Sequence, residues 1–232
     1  MQLIKATLVL LAATAEAHYH FSNIGVSSPE WSTGRRPKNA QDNGPVTDLN
    51  SIDMRCNQAS ASAKNVFAVA AGAKMPVYYN QGPWHQGPYQ VYMARVPEGK
   101  SVLNWDGAGQ VWFKVFSAGG YTGGCKYSNG NYCFPDKWDK PIAVTLPGSL
   151  PAGDYLVRAE HLALHIANQP QFYIGCGQVT VTVGGSGTPG PLVAFPGAYK
   201  QGDKSIFNNF NYPKPVNYSP PGPPVWTGND TV

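Results

Sequence analysis

Short apolar segments, interrupted again and again by glycine and proline, set the limits on this chain. Its 232 residues include 26 glycines and 21 prolines. Both residues break helices, one through entropy and one through a missing donor and a steric clash. The composition is therefore that of a loop-rich β protein rather than a helical one. Between the breakers lie β-branched and aromatic segments, and 66–71, 76–79, 89–94, 110–116, 142–145, 153–159 and 178–183 read as strands. Gln178-Val-Thr-Val-Thr-Val183 alternates cleanly, which predicts one buried and one wet face. Strands at this spacing predict an all-β fold, an antiparallel β-sandwich. Long loops at 29–51 and 118–139 join them, and ordered loops of such length often carry function. Beyond Val183 the chain turns Gly/Pro-rich, with no new strand pattern. It is expected to wrap over the sandwich as an extended tail.

The first 17 residues have a different character. Lys5 precedes an apolar stretch from Ala6 to Thr14, and Ala15-Glu16-Ala17 has the small-x-small form of a cleavage site. The stretch is too short to span a bilayer as a helix. Residues 1–17 therefore read as a signal peptide, and 18–232 as one secreted domain. No later apolar run approaches a membrane span. The net charge of +4 is dispersed, which argues against a nucleic-acid partner. Two sequons, at Asn217 and Asn229, are candidate glycosylation sites.

Cleavage after Ala17 makes His18 the first residue. It then offers two nitrogens, the α-amine and the ring Nδ1, to a single metal ion. The four cysteines suggest two disulfides in a secreted chain, with three possible connectivities. Local pairing of Cys125 with Cys133 would leave Cys56 to Cys176, closing a loop of about 120 residues worth on the order of 4–5 kcal/mol. If all four thiols are used, metal ligands must be histidine, tyrosine, carboxylate or the amine. His85, in Trp84-His85-Gln86-Gly87-Pro88, is the second candidate ligand. Tyr173, three residues before Cys176, is the third, and His165 and Gln171 flank the same stretch.

These segments together resemble the lytic polysaccharide monooxygenases of auxiliary activity family 9, the fungal cellulose-active type. The likeness is carried by His18, Asn43-Gly-Pro-Val-Thr-Asp48, Met54-Arg-Cys-Asn57 and His85-Gln-Gly-Pro-x-x-Val-Tyr92. It continues through Gly153-Asp-Tyr-Leu-Val-Arg-Ala-Glu160, Ala163-Leu-His165 and Gln171-Phe-Tyr-x-x-Cys176. In the tail, Phe195-Pro-Gly-Ala-Tyr199 and Pro221-Gly-Pro-Pro-Val-Trp226 match as well. The resemblance implies an immunoglobulin/fibronectin-like sandwich and one copper ion in a histidine brace. His18 would bind through amine and Nδ1, His85 through a ring nitrogen, with Tyr173 as an axial group. His165 and Gln171 would form the outer pair beside the oxygen species. Three nitrogens suit copper, and surrounding groups tune a metal.

The implied reaction is oxidative cleavage of β-1,4-glucan at C1 or C4, using O2 or H2O2 and an electron donor, either a small reductant or a redox protein. The implied partner is an insoluble polysaccharide, cellulose or a hemicellulose, met by a monomer with no appended carbohydrate-binding module. A flat face with exposed rings is expected, with Tyr19, Tyr199 and Tyr212 as candidates. The family often has Tyr-Trp-Pro where this chain has Asn211-Tyr212-Pro213, so that ring is displaced by one residue. The loop from His165 to Gln171 is short, and His20 is unusual: on a strand it would share a face with His18. His161 and His165 form an HxxxH spacing without the metalloprotease glutamate, and His161 reads as structural. A hydrolase needs two opposed carboxylates. Asp136, Asp139, Asp154 and Glu160 single out no such pair, and Asp154 and Glu160 read as structural. A copper-binding protein without turnover would not need Tyr173, His165 and Gln171 together.

Overall fold

The computed structural model describes residues 18–37, 40, 43–57, 62–82, 85–119, 141–210 and 218–228. Among these residues, eight strands and one helical turn follow in chain order: β1 (Phe21–Ile24), α1 (Asp53–Cys56), β2 (Phe67–Val69), β3 (Lys74–Tyr79), β4 (Tyr89–Arg95), β5 (Trp112–Ala118), β6 (Ile142–Thr145), β7 (Gly153–Ala163) and β8 (Gln171–Val181). They form two sheets, a small one ordered β1-β3-β6 and a large one ordered β2-β8-β7-β4-β5. The sandwich expected from the sequence is present. One pairing departs from the antiparallel pattern, because β2 runs parallel to β8.

Alternation along the strands divides the core in two. Val91 and Met93 of β4, Tyr155 and Val157 of β7 and Val179 of β8 face the small sheet, packing on Met75, Val77, Ile142 and Val144. Their neighbours Tyr92, Leu156, Phe172 and Ile174 face the other way, against Met54, Trp105, Phe195, Tyr199 and Phe210. The large sheet is thus covered on both faces, by the small sheet and by loops with the C-terminal tail. The wet face expected along 178–183 is present at its end, where Thr180 is half-buried and Thr182 exposed, but Gln178 is buried, with its amide bonded to the Ala63 and Asn65 backbone.

The tail is stitched down in the way the sequence suggests. Val193 bridges Trp112, and Val225 bridges Lys114. Lys114 donates from Nζ to the Pro221 carbonyl at 2.8 Å. Cys56 and Cys176 form a disulfide with Cα atoms 5.2 Å apart, tying α1 to β8. Cys125 and Cys133 lie outside the described residues. Among those described, no helix is long and apolar enough to cross a membrane.

Candidate metal centre

Antiparallel pairing brings one end of four strands together. The start of β4, the end of β7 and the start of β8 meet there, with Tyr89 opposite His161 and His161 opposite Tyr173. β1 enters at the same end. It lies so close to β8 that a Cβ on Gly175 would sit 2.7 Å from the Phe21 Cβ, which only glycine permits.

His18 immediately precedes this anchored strand and is itself exposed. The residues after it are held firmly. Tyr19 is buried, and the His20 amide donates to Asn80 Oδ1 at 2.9 Å while the Asn80 amide donates to the His20 carbonyl at 3.1 Å. The Gln81 side-chain amide also donates to the His18 carbonyl. The position of His18 is therefore fixed by its neighbours, leaving its own ring clear.

His85 sits in the loop before β4, and this loop continues the β4–β7 ladder. The Leu162 amide donates to the Pro88 carbonyl at 3.0 Å, and the Leu164 amide to the Gln86 carbonyl at 2.8 Å. A Cβ on Gly87 would fall 1.7 Å from the Leu162 oxygen, so only glycine allows this approach. Carried past β4 in the same register, the ladder sets His85 opposite His165. Their rings stack at 3.7 Å between centroids, 9° from parallel.

Tyr173 lies at nearly equal distance from the two candidate ligands. Its ring is 6.2 Å from that of His18 and 6.1 Å from that of His85. Burial pushes its phenol up to about 12, so it stays protonated, and it donates to Gln171 Oε1 at 3.0 Å. That bond fixes the amide of Gln171 and leaves its NH2 end to donate elsewhere. Burial also lowers the pKa of His165, favouring the neutral ring.

Among the described residues, no three His, Cys, Asp or Glu side chains converge. The two imidazoles near Tyr173 could reach three nitrogens only with the α-amine of a trimmed His18. That donor set, two imidazoles and an amine, fits a borderline metal such as copper rather than calcium or magnesium, which take oxygen ligands.

A family model described as Auxiliary Activity family 9 (formerly GH61) matches residues 13–218. The chain belongs to Auxiliary Activity family 9. It is thereby a polysaccharide monooxygenase by family. The family 9 lytic polysaccharide monooxygenase H of Malbranchea cinnamomea is 44% identical, over 98% of this chain and all of that one. Monooxygenase A of Thermothelomyces thermophilus is 42% identical, over 97% of this chain and 99% of its own. Among solved structures, a cellulose-active polysaccharide monooxygenase from M. thermophila superposes with a TM-score of 0.75 at 30% identity, covering 91% of this chain and all of that one.

Within this family 9 chain the expected site residues fall into two groups. His18, His85, His165, Gln171 and Tyr173 gather at one end of the sandwich. Two of the expected substrate-facing rings do not face outward. Tyr19 is 1% exposed, because the residue after His18 turns inward and its ring stacks on Tyr173 at 4.2 Å. Tyr199 is 5% exposed, its hydroxyl donating to Glu160 Oε1 at 2.7 Å inside the core. Neither presents a ring to a polymer. Tyr212, Asn217 and Asn229 lie outside the described residues, as does the leader 1–17.

His20 is neither exposed nor beside His18. Its ring is buried, paired with Glu30 at 2.6 Å and with Asn43, and stacked on Trp31 at 4.5 Å. His161 is fully buried, its Nδ1 meeting the Tyr19 hydroxyl. Burial pushes its pKa down to about 3, with the Gly87 backbone opposing and His165 adding to the fall. Its importance could have been read from register alone, since it is cross-strand neighbour to both Tyr89 and Tyr173.

Proposed function

We propose that the secreted, trimmed protein holds one copper ion through the His18 amine and Nδ1 and a His85 ring nitrogen, and oxidatively cleaves β-1,4-glucan chains, cellulose foremost. One arrangement carries this reading: the His18 and His85 rings lie 6.2 and 6.1 Å from the Tyr173 ring, with His165 stacked on His85. Copper bound there would supply the one-electron redox chemistry, with O2 or H2O2 and an external electron donor, that inserts an oxygen at C1 or C4 of the sugar. The hydroxylated carbon no longer sustains the glycosidic bond, and the chain breaks.

The protein's part is placement. His85 is held in plane by its stack on His165. Tyr173, kept protonated, orients Gln171 so that its NH2 faces away from the phenol. Gln171 and His165 can then donate to a polar oxygen beside the metal. A site at the end of a sandwich, with His18 exposed, can meet a polymer too large for any pocket. With Tyr19 and Tyr199 inside, polymer contact falls to other residues, among which Tyr212 in the tail is the remaining candidate.

The leader 1–17 would be removed on secretion, Asn217 and Asn229 would carry glycans, and the protein would act as a monomer. The test uses protein whose first residue is His18. Paramagnetic resonance of the cupric form should show three nitrogens, and ascorbate with cellulose should yield oxidised oligosaccharides by mass spectrometry. His85→Ala should lose both signals, and extra residues ahead of His18 should abolish turnover. Undiminished products from either variant would overturn the assignment.

A further inference from the structure

We propose that His161 is a positioning residue for this site, one buried imidazole that ties together the segments carrying His18, His85 and Tyr173. The inference rests on the copper reading given above, but its geometry stands apart from it.

A fully buried imidazole on a sheet face otherwise lined by Tyr89, Val91, Val157 and Ala159 is costly. A leucine would fill the same space without a polar group to satisfy. The contacts His161 makes all lead to the site. Its Nδ1 meets the Tyr19 hydroxyl, and Tyr19 is one peptide bond from His18. The next residue, Leu162, donates its amide to the Pro88 carbonyl at 3.0 Å, and its own carbonyl lies so near Gly87 that a Cβ there would fall 1.7 Å away, so the strand carrying His161 grips the loop two residues from His85. Tyr173 is its cross-strand partner on β8, and Tyr89 its partner on β4. On Tyr89 the imidazole stacks at 4.3 Å, only 10° from parallel.

One hydrogen bond holds the ring: Nδ1 pairs with the Tyr19 hydroxyl, while Nε2 has no hydrogen-bond partner among the described residues. Tyr19 is thereby held flat on Tyr173, at 4.2 Å and 16°. Moving His161 would move Tyr19, and with it the backbone that presents the His18 amine. A brace built from distant segments needs such a tie, because small displacements degrade a metal site.

The experiment uses Tyr19→Phe, His161→Gln and His161→Leu in protein beginning at His18. Tyr19→Phe keeps the ring and removes only the hydroxyl, so it decides the matter if His161→Leu does not fold. In metal-free protein, amide hydrogen exchange at 19–21 and 85–88 should quicken about tenfold in Tyr19→Phe and His161→Leu, with β3 and β6 unchanged. Cupric affinity by titration calorimetry should fall about tenfold, the size usual for groups that orient metal ligands, and the copper hyperfine splitting should shift. His161→Gln, which keeps an acceptor, should recover part of both.

Exchange, affinity and spectrum all unchanged in Tyr19→Phe and His161→Gln would overturn the proposal. So would a uniform loss of thermal stability with no local change. Wild-type protein that fails to bind copper through three nitrogens would sink the copper reading instead, and the metal-free exchange would still decide whether His161 ties the segments.

Discussion

Among the described residues, the Gln171 side chain is pinned from one side. Its Oε1 accepts from Tyr173 at 3.0 Å, and it is partly exposed at the first position of β8. Little packing depends on it, yet its amide is held beside the phenol that lies about 6 Å from both the His18 and the His85 rings. Gln171→Leu should therefore separate chemistry from binding. Oxidised product formed per minute should drop by about 10- to 100-fold, the range seen when groups around a metal are removed. Copper affinity and melting temperature should stay close to wild type. A loss of copper binding instead would make Gln171 a scaffold residue rather than a partner of the oxidant. At this scale the sequence singled out His18, His85 and Tyr173, and the fold sets their rings near one another at one end of the sandwich. The sequence misled at Tyr19 and Tyr199. An aromatic ring packs inward or stacks outward with equal ease, and only the fold decides.

At the scale of strands, the buried charges explain both what could be read and what could not. The strand at 142–145 was legible to the residue, because it alternates without interruption between turns. β7 and β8 extend over 11 residues each, well past the segments expected. Their extra length contains Glu160, His161 and Gln171, polar side chains that break an apolar pattern but each find a partner in the folded chain. β1 was missed altogether, since Phe-Ser-Asn-Ile is short and its polar residues are buried too. The array centred on Glu160 shows how such groups persist. Arg158 donates to Glu160 Oε2 at 2.6 Å, Tyr199 and Gln90 donate to Oε1, and the Arg158 guanidinium lies 3.8 Å over the Phe195 ring. Burial opposes the Arg158 cation, and Glu160, with Tyr199 and Tyr92, more than offsets it. Glu160 is thus a partner to a cation, unavailable as an acid for hydrolysis. Glu160→Gln strands that cation and should cost about 3–5 kcal/mol in denaturant unfolding. The double variant Arg158→Met, Glu160→Leu should cost less than Glu160→Gln alone, because no charge is left behind. Costs that simply add would show that the two residues are not coupled.

Over the whole molecule, the tail closes the sandwich by passing over this same array, and Lys114 is where the two meet. Its Nζ donates to the Pro221 carbonyl, and its own backbone carbonyl accepts from Trp226, both at 2.8 Å. A wrapped tail was legible from its Gly/Pro content, but a buried lysine as its anchor was not, because lysine rarely lies inside. Burial pushes the Lys114 ammonium down to about 8, with Glu160 partly restoring it. The direction of the consequence is set by linkage. The unfolded chain holds this proton up to its ordinary pKa of about 10.4, whereas the folded chain releases it near 8. Below pH 8 both states are protonated, and the native state bears the cost of burying a cation, on the order of 3 kcal/mol. Between pH 8 and about 10.4 the folded chain has shed the proton and the unfolded chain has not, so the penalty shrinks as pH rises. Lys114→Met removes the titration while keeping much of the stem. Measured by urea unfolding, wild type should gain on Lys114→Met by up to about 3 kcal/mol between pH 7 and pH 10. The groups facing Lys114 (Glu160, Arg158 and Tyr92) are common to both proteins, so their own titrations largely cancel in the difference. A constant gap across that range would mean that the ammonium is solvated in the native state, and that the tail does not seal the core at Pro221.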